Sequence, residues 1–232
     1  MIKVHSYESM GTYDGPGLRL VVFLQGCPFK CLYCANPDTI PFEGGTATEI
    51  EDIVSRAVNQ KAFFGKRGGV TFSGGEPTVQ AKELIGLVRR LKEEGIHVCI
   101  DTNGGIWNSY VEELLSLVDL VLLDVKQFND GRHTELTGRS NSQTLKTAQW
   151  LEEHGIEFEI RHIVEDNPSA EELAEWIEKS PFEHLSEGRN PENPGIPAFH
   201  HHRPCGGCRC GCYRGLDQEK HRRCRCLGRR SA

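Results

Sequence analysis

Long apolar runs are missing from this 232-residue chain: none approaches the roughly 20 residues a helix needs to cross a bilayer. The opening residues, Met1-Ile2-Lys3-Val4-His5, lack the basic, apolar and small-residue zones of a secretory signal. A cytoplasmic chain with no membrane attachment is therefore expected. With no such signal, a disulfide framework is a poor reading of the ten cysteines, and clustered thiols point instead to metal or redox chemistry. No cysteine stands between Cys34 and Cys99. Aromatic residues are nearly absent from the Arg-rich end of the chain, which argues against a nucleic-acid-binding arm there.

What is present suits one globular domain, or one domain with a tail. The charge is unevenly spread. Residues 186–232 hold nine Arg and one Lys against four acidic residues, a net of +6 that leaves −12 on residues 1–185. The cysteines divide the same way, with Cys27, Cys31, Cys34 and Cys99 in the body and Cys205, Cys208, Cys210, Cys212, Cys224 and Cys226 in the tail. The expected organisation is a core over 1–185 followed by an Arg/Cys/Gly-rich tail over 186–232.

Within the body, periodicity alternates between strand and helix. Residues 18–25 form an apolar, β-branched strand pattern. A helix is predicted from about Thr48, with Thr48 as its N-cap and Glu51 in capping-box position. A strand over 69–73 ends at Gly74-Gly75, a helix over 79–94 stops at Gly95, and a strand covers 96–100. Helices near 109–117, 142–154 and 169–179 and strands over 120–125 and 156–164 continue the series. Such alternation predicts an α/β fold with a parallel sheet, open or curled as a barrel, whose chemistry sits in loops after the strand C-termini. Beyond about Glu187 the pattern stops.

The strongest chemical signal is Gly26-Cys27-Pro28-Phe29-Lys30-Cys31-Leu32-Tyr33-Cys34, a C-x3-C-x2-C loop directly after the first predicted strand. Three thiolates on one tight loop suit a cubane iron–sulfur cluster with one iron left open for a ligand; structural zinc normally takes four ligands and stays closed. A zinc site completed by a distant His, or plain buried cysteines, is the alternative. Ser73-Gly74-Gly75-Glu76-Pro77, Asp101-Thr102-Asn103-Gly104 and Leu123-Asp124-Val125-Lys126 follow the next three strands. Each alone reads as a turn or cap. Their recurrence on one rim beside three cysteines makes a site credible.

In these motifs, together with Gly11-Thr12-Tyr13-Asp14-Gly15-Pro16-Gly17-Leu18-Arg19, Phe23-Leu24-Gln25-Gly26 and Cys34-Ala35-Asn36-Pro37-Asp38-Thr39, the chain resembles the radical S-adenosylmethionine enzymes, and among them the glycyl-radical-enzyme activases. The resemblance spans about residues 3–164. It implies a partial (β/α)6 barrel, incomplete at its C-terminal end, in which Cys27, Cys31 and Cys34 hold a [4Fe–4S] cluster. It further implies that Tyr33, Cys34 and Ala35 line the adenine side of S-adenosylmethionine and that Gly74, Gly75 and Glu76 bind its amino group. Asp101, Asn103, Asp124, Val125 and Lys126 fall at cofactor contacts, with Lys126 neutralising the cofactor carboxylate. Asp101, Thr102 and Asp124 also match a monovalent-cation site. Asp14 would hold the partner's glycine loop, with Arg161 on the same rim, although Asp14 also reads as an ordinary turn residue. The partner implied is a glycyl radical enzyme, pyruvate formate-lyase first and the anaerobic ribonucleotide reductase second, with an electron donor such as flavodoxin. Cys99 reads as a small buried residue.

After Val164 the resemblance decays. The tail admits three readings: a second metal site on Cys205-x2-Cys208-x-Cys210-x-Cys212, an RNA-binding arm, or sequence foreign to the fold such as out-of-frame translation. A noncatalytic cysteine-rich metal- or RNA-binding protein is the reading from a different class, and the tail carries it.

Overall fold

A computed structural model describes residues 1–163 and 199–202. Its centre is an eight-stranded sheet in the order β3-β1-β2-β4-β5-β6-β7-β8. The strands are β1 (Ile2–Gly11), β2 (Arg19–Leu24), β3 (Thr46–Thr48), β4 (Gly69–Gly74), β5 (His97–Thr102), β6 (Leu120–Asp124), β7 (Phe158–Ile163) and β8 (Phe199–His202). From β2 through β8 all neighbours are parallel, and β1 and β3 are added antiparallel at one end. Six parallel strands in sequence order are the partial (β/α)6 arrangement, and β3 and β8 end the run without meeting.

Helices α1 (Ile50–Phe64), α2 (Ala81–Glu93), α3 (Ser109–Leu117) and α5 (Ser142–Glu153) occupy the crossovers. Their apolar stripes, including Ile53, Leu84, Leu87, Val88, Leu114 and Leu151, meet alternate strand residues: Leu20, Val22 and Leu24 of β2, Val70 and Phe72 of β4, Val98 and Ile100 of β5, Val121 and Leu123 of β6. Successive strand residues point to opposite faces. The other parity therefore forms the inner face: Arg19, Val21, Phe23, Thr71, Ser73, Cys99, Asp101, Leu120, Leu122, Asp124 and Arg161. Cys99 is fully buried there against Leu120 and Leu122, the small buried residue expected.

Several elements depart from the sequence reading. β1 carries clear alternation only at Ile2–Val4 and turns polar afterwards. It is a strand because its backbone pairs with β2 through two register shifts. Helix α4 (Asp130–Thr137) has no apolar stripe; its buried side chains are His133 and Thr137. Asn129 caps it by accepting from Arg132 N, and Gly138 ends it in the left-handed region at φ 75°. Thr48 does not cap α1. It ends β3, its hydroxyl donates to Thr46 O at 3.1 Å, and Glu49 occupies the cap position with no side-chain bond. β8 comes from the segment in which no element was predicted: Phe199–His202 pairs with Ile160–Ile163 and supplies the sixth parallel strand. The boundary expected after residue 185 thus has one strand of the sheet beyond it. The helix expected over 169–179 and the tail cysteines lie outside the described residues.

Candidate functional site

Register brings the four predicted motifs to one rim. Leu24 pairs with Gly74, Thr102 with Leu123, and Asp124 with Arg161, so β2, β4, β5, β6 and β7 deliver their following loops to the same edge. At Gly74 (φ 101°) an added Cβ would stand 2.5 Å from Leu24 N, and at Gly75 it would stand 2.3 Å from Gly26 O. These glycines are required by the approach of the protein's own β2 backbone. Gly75 N donates to Leu24 O and Glu76 N to Gly26 O, which locks the Gly-Gly-Glu turn to the start of the cysteine loop.

Glu76 is almost wholly buried, 1% exposed. Its Oε1 accepts from Thr78 N at 3.0 Å, Thr78 Oγ1 at 2.6 Å and Thr102 Oγ1 at 2.6 Å, and its Oε2 accepts from Asn103 N at 2.8 Å. Burial pushes the carboxyl's pKa up, and the Thr102, Thr78 and Asn103 donors oppose that shift. The side chain is a clip between the ends of β4 and β5.

Asn103 extends the clip to the cysteine loop. Its Nδ2 lies 3.8 Å from Cys27 Sγ, its Oδ1 accepts from Gly105 N, and its carbonyl accepts from Thr144 Oγ1 of α5. The cysteine loop is also pinned from the other side, with Lys30 N donating to Thr137 O and Leu32 N to Leu136 O of α4. Phe29 packs edge-on against His133, ring centroids 5.6 Å apart. Tyr33 reaches the end of β6, its hydroxyl 3.4 Å from Lys126 O and its ring under the Lys126 ammonium. Ala35 is exposed.

On the inner face below the rim lies a chain of charge. Ser73 Oγ donates to Asp101 Oδ2 at 2.8 Å. Burial raises the Asp101 pKa, Arg161 opposes it, and Asp124 adds to it. Lys126 pairs with Asp124 Oδ2, while Asp124 Oδ1 is buried with no partner. Burial disfavours the Lys126 charge, but Asp124 more than offsets this and the ammonium's pKa rises. Val125 places its side chain in the helix-side core, so only its backbone faces the site. Asp14 is brought here by the β1–β2 turn, which folds back over the inner face. Its pKa rises to about 6, mainly through burial and then the Asp101 charge, with Arg161 opposing. Arg161 itself donates to Tyr13 O at 2.8 Å.

The sequence profile of the Radical SAM superfamily matches residues 21–179. The chain belongs to this superfamily. It is 43% identical over 182 residues to the pyruvate formate-lyase 1-activating enzyme of Escherichia coli K12, covering 75% of this chain and 74% of that protein. It is 40% identical over 187 residues to the pyruvate formate-lyase-activating enzyme of Staphylococcus epidermidis, again covering 75% and 74%. Among solved structures, Streptococcus suis SuiB bound to its precursor peptide SuiA has a TM-score of 0.58 at 22% identity, over 70% of this chain and 36% of that one. Escherichia coli QueE has a TM-score of 0.52 at 18% identity, over 78% and 80%. These two show a shared fold.

A radical SAM enzyme uses a [4Fe–4S] cluster and S-adenosylmethionine, and the donor set fits the cluster. Cys27, Cys31 and Cys34 are free, half-buried thiols on one loop. A cubane asks for each thiolate on its own iron, and three cysteines on one loop can supply that. Burial and the Glu76 charge hold the Cys27 thiol up at about 12, and burial raises Cys31 against the pull of Lys126. Metal binding must therefore displace protons from these thiols.

Sequence reasoning missed the supporting hydroxyls: Thr78 under Glu76, Ser73 on Asp101 and Thr71 beneath the β1–β2 turn. Strand parity was their available signal, because each polar residue sits at an inward position of an otherwise apolar strand or two residues after a capping Glu.

Proposed function

We propose that this chain activates pyruvate formate-lyase in an anaerobic cytoplasm by placing a radical on a backbone glycine of that enzyme. The observation that carries the reading is the joining of three free thiols, the Gly-Gly-Glu turn and the Asp124–Lys126 segment on one rim, in a chain 43% identical to an enzyme named for that activation. When bound, a cluster held by Cys27, Cys31 and Cys34 would supply the electron for reductive cleavage of S-adenosylmethionine, the chemistry needed to draw a hydrogen atom from glycine.

The chain's own residues bind, orient and shield. Cys27, Cys31 and Cys34 hold three irons. The backbone of Gly74 and Gly75 receives the cofactor's amino group, Lys126 faces its carboxylate, and Tyr33 and Ala35 border the adenine. Asp101, Thr102 and Asp124 offer hard oxygens to a monovalent cation, and the partnerless Asp124 Oδ1 supports that reading. Asp14 holds the partner's glycine loop over the inner face. A reduced flavodoxin-type protein is the electron donor. Residues 1–185 with β8 form the catalytic unit, and the remainder of 186–232 is an appended tail.

The test is iron content and electron paramagnetic resonance of the anaerobically reconstituted, reduced protein, with and without S-adenosylmethionine. About four irons per chain and a signal reshaped by the cofactor are expected, followed by a glycyl radical when pyruvate formate-lyase is added. Zinc in place of iron, or a cluster indifferent to the cofactor, overturns the reading. A radical formed on anaerobic ribonucleotide reductase alone would reassign the partner.

A further inference from the structure

Arg19 opens β2 with its side chain on the inner face, and it is 0% exposed. A guanidinium in that position costs several kcal/mol unless its N–H groups find partners. Among the described residues it makes no ion pair with a carboxylate; it meets carbonyls, a hydroxyl and, at 3.4 Å, His97 Nδ1 instead. Nε donates to Thr71 Oγ1 at 2.5 Å, Nη1 to Pro16 O at 3.0 Å and Arg67 O at 3.5 Å, and Nη2 to Val70 O at 2.6 Å and His97 O at 3.2 Å. An ordinary strand opening needs none of this.

The direction of each bond is fixed by chemistry. A guanidinium only donates and a carbonyl only accepts. Thr71 Oγ1 therefore accepts from Arg19 and passes its own hydrogen to Asp14 O, 2.6 Å away. The result is a turn held at three carbonyls from three strands: Tyr13 O by Arg161 of β7, Asp14 O by Thr71 of β4, and Pro16 O by Arg19 of β2. Gly15 (φ 118°) lies so close beneath that a Cβ would stand 3.1 Å from both Arg19 Cδ and Cys99 Sγ. None of these hydrogen bonds is made to the cysteine loop or to the Gly-Gly-Glu turn.

We infer that Arg19 and Thr71 are positioning residues for partner recognition: through the Arg19–Thr71–Asp14 relay they fix the 12–17 turn so that Asp14 meets the glycine loop in one pose. The inference rests on the reading of Asp14 given under the proposed function. Neither residue touches the reacting atoms, so their loss acts on the binding of the partner segment and not on cofactor cleavage.

The experiment uses the reconstituted holoenzyme with a short peptide spanning the glycine loop of pyruvate formate-lyase. Thr71→Val keeps the shape and deletes the hydroxyl, and Thr71→Ser restores it. One buried hydrogen bond left unmade corresponds to about a tenfold rise in KM for the peptide. Thr71→Val should show that rise with kcat within about twofold of wild type, and Thr71→Ser should return KM to within about twofold. The resonance signal with S-adenosylmethionine should be unchanged in both. Amide exchange across residues 12–18 of the holoenzyme should accelerate in Thr71→Val and in Arg19→Lys, whose ammonium cannot reach all five of these oxygen acceptors, but not in Thr71→Ser.

An unchanged KM in Thr71→Val overturns the inference. So does a KM rise accompanied by loss of the cofactor-induced signal, because the relay would then serve the whole barrel. If wild-type enzyme forms no radical on the peptide while its signal still responds to the cofactor, the reading of the partner has failed. The exchange data then decide alone whether the relay holds the turn.

Discussion

The same strands present two unlike surfaces. On the outer face Leu20, Val22, Phe72, Val98, Ile100 and Val121 are all 0% exposed against helices. On the inner face the intervening residues include Arg19, Thr71, Ser73, Asp101, Asp124 and Arg161. One residue of register separates them. The outer face buries apolar area, at roughly 25 cal/mol per Å², and holds the fold together. The inner face desolvates charges, a cost that hydrogen bonds such as Ser73–Asp101 and Arg19–Pro16 partly offset. The fold carries its chemistry on the surface that contributes least to holding it.

Substitutions on the two faces should therefore differ in size and in sign. The largest effect is expected on the outer face: Phe72→Ala should destabilise by about 3–5 kcal/mol, read as a lowered urea midpoint. A smaller loss would mean that the helices close over the cavity. At the rim, Glu76→Gln replaces an acceptor of several hydrogen bonds by an amide that must turn a donor toward Thr78, Thr102 or Asn103. We expect about 2–3 kcal/mol lost, together with a weakened response of the cluster signal to cofactor as the β4 and β5 ends separate. A full response from a destabilised variant would show that the clip serves the fold alone.

On the inner face the sign reverses. A carboxyl whose folded pKa is raised stabilises the protein below its unfolded value and loses that contribution as pH rises to the folded value. For Asp14 the window runs from about pH 4 to about pH 6, set by burial and then by Asp101. In the protein without cofactor, Asp14→Asn should raise stability on the order of 2 kcal/mol at pH 7 and leave it unchanged near pH 4. Thermal melts at both values check this, and equal gains at both would assign the effect to something other than ionisation. The smallest effect belongs to Thr48→Ala, below about 0.5 kcal/mol, since no hydrogen bond from Thr48 caps α1. A loss near 1 kcal/mol in a denaturant melt would restore the capping box.

How far the sequence was legible follows the same division. Elements with an apolar face were readable because periodicity is the imprint of burial. The helix expected over 109–117 is Ser109–Leu117, and the strand expected over 69–73 is Gly69–Gly74. Elements held by the backbone or by polar side chains left no such imprint. β1 rests on its ladder with β2, α4 on Asn129, His133 and Thr137, and β8 on pairing with β7. At the site, residue types and spacing singled out the three cysteines and the polar motifs holding Glu76, Asp101, Asp124 and Lys126 as candidates, because they recur at successive strand ends. The family resemblance gave them their expected roles. Neither said that Glu76 would spend its oxygens on Thr78, Thr102 and Asn103, that Val125 would face the core, or that Arg161 would grip Tyr13 O.

The sequence by itself therefore determined the α/β alternation, the cysteine loop and the set of groups available at the rim, since local spacing encodes all three. The tertiary structure alone decided which of those groups are free and which are already engaged. Hydrogen-bond partners such as Arg19 with Thr71, 52 positions apart, and Arg161 with Tyr13, 148 apart, are chosen by strand register. Register is a property of the assembled sheet, set by the burial of its outer face.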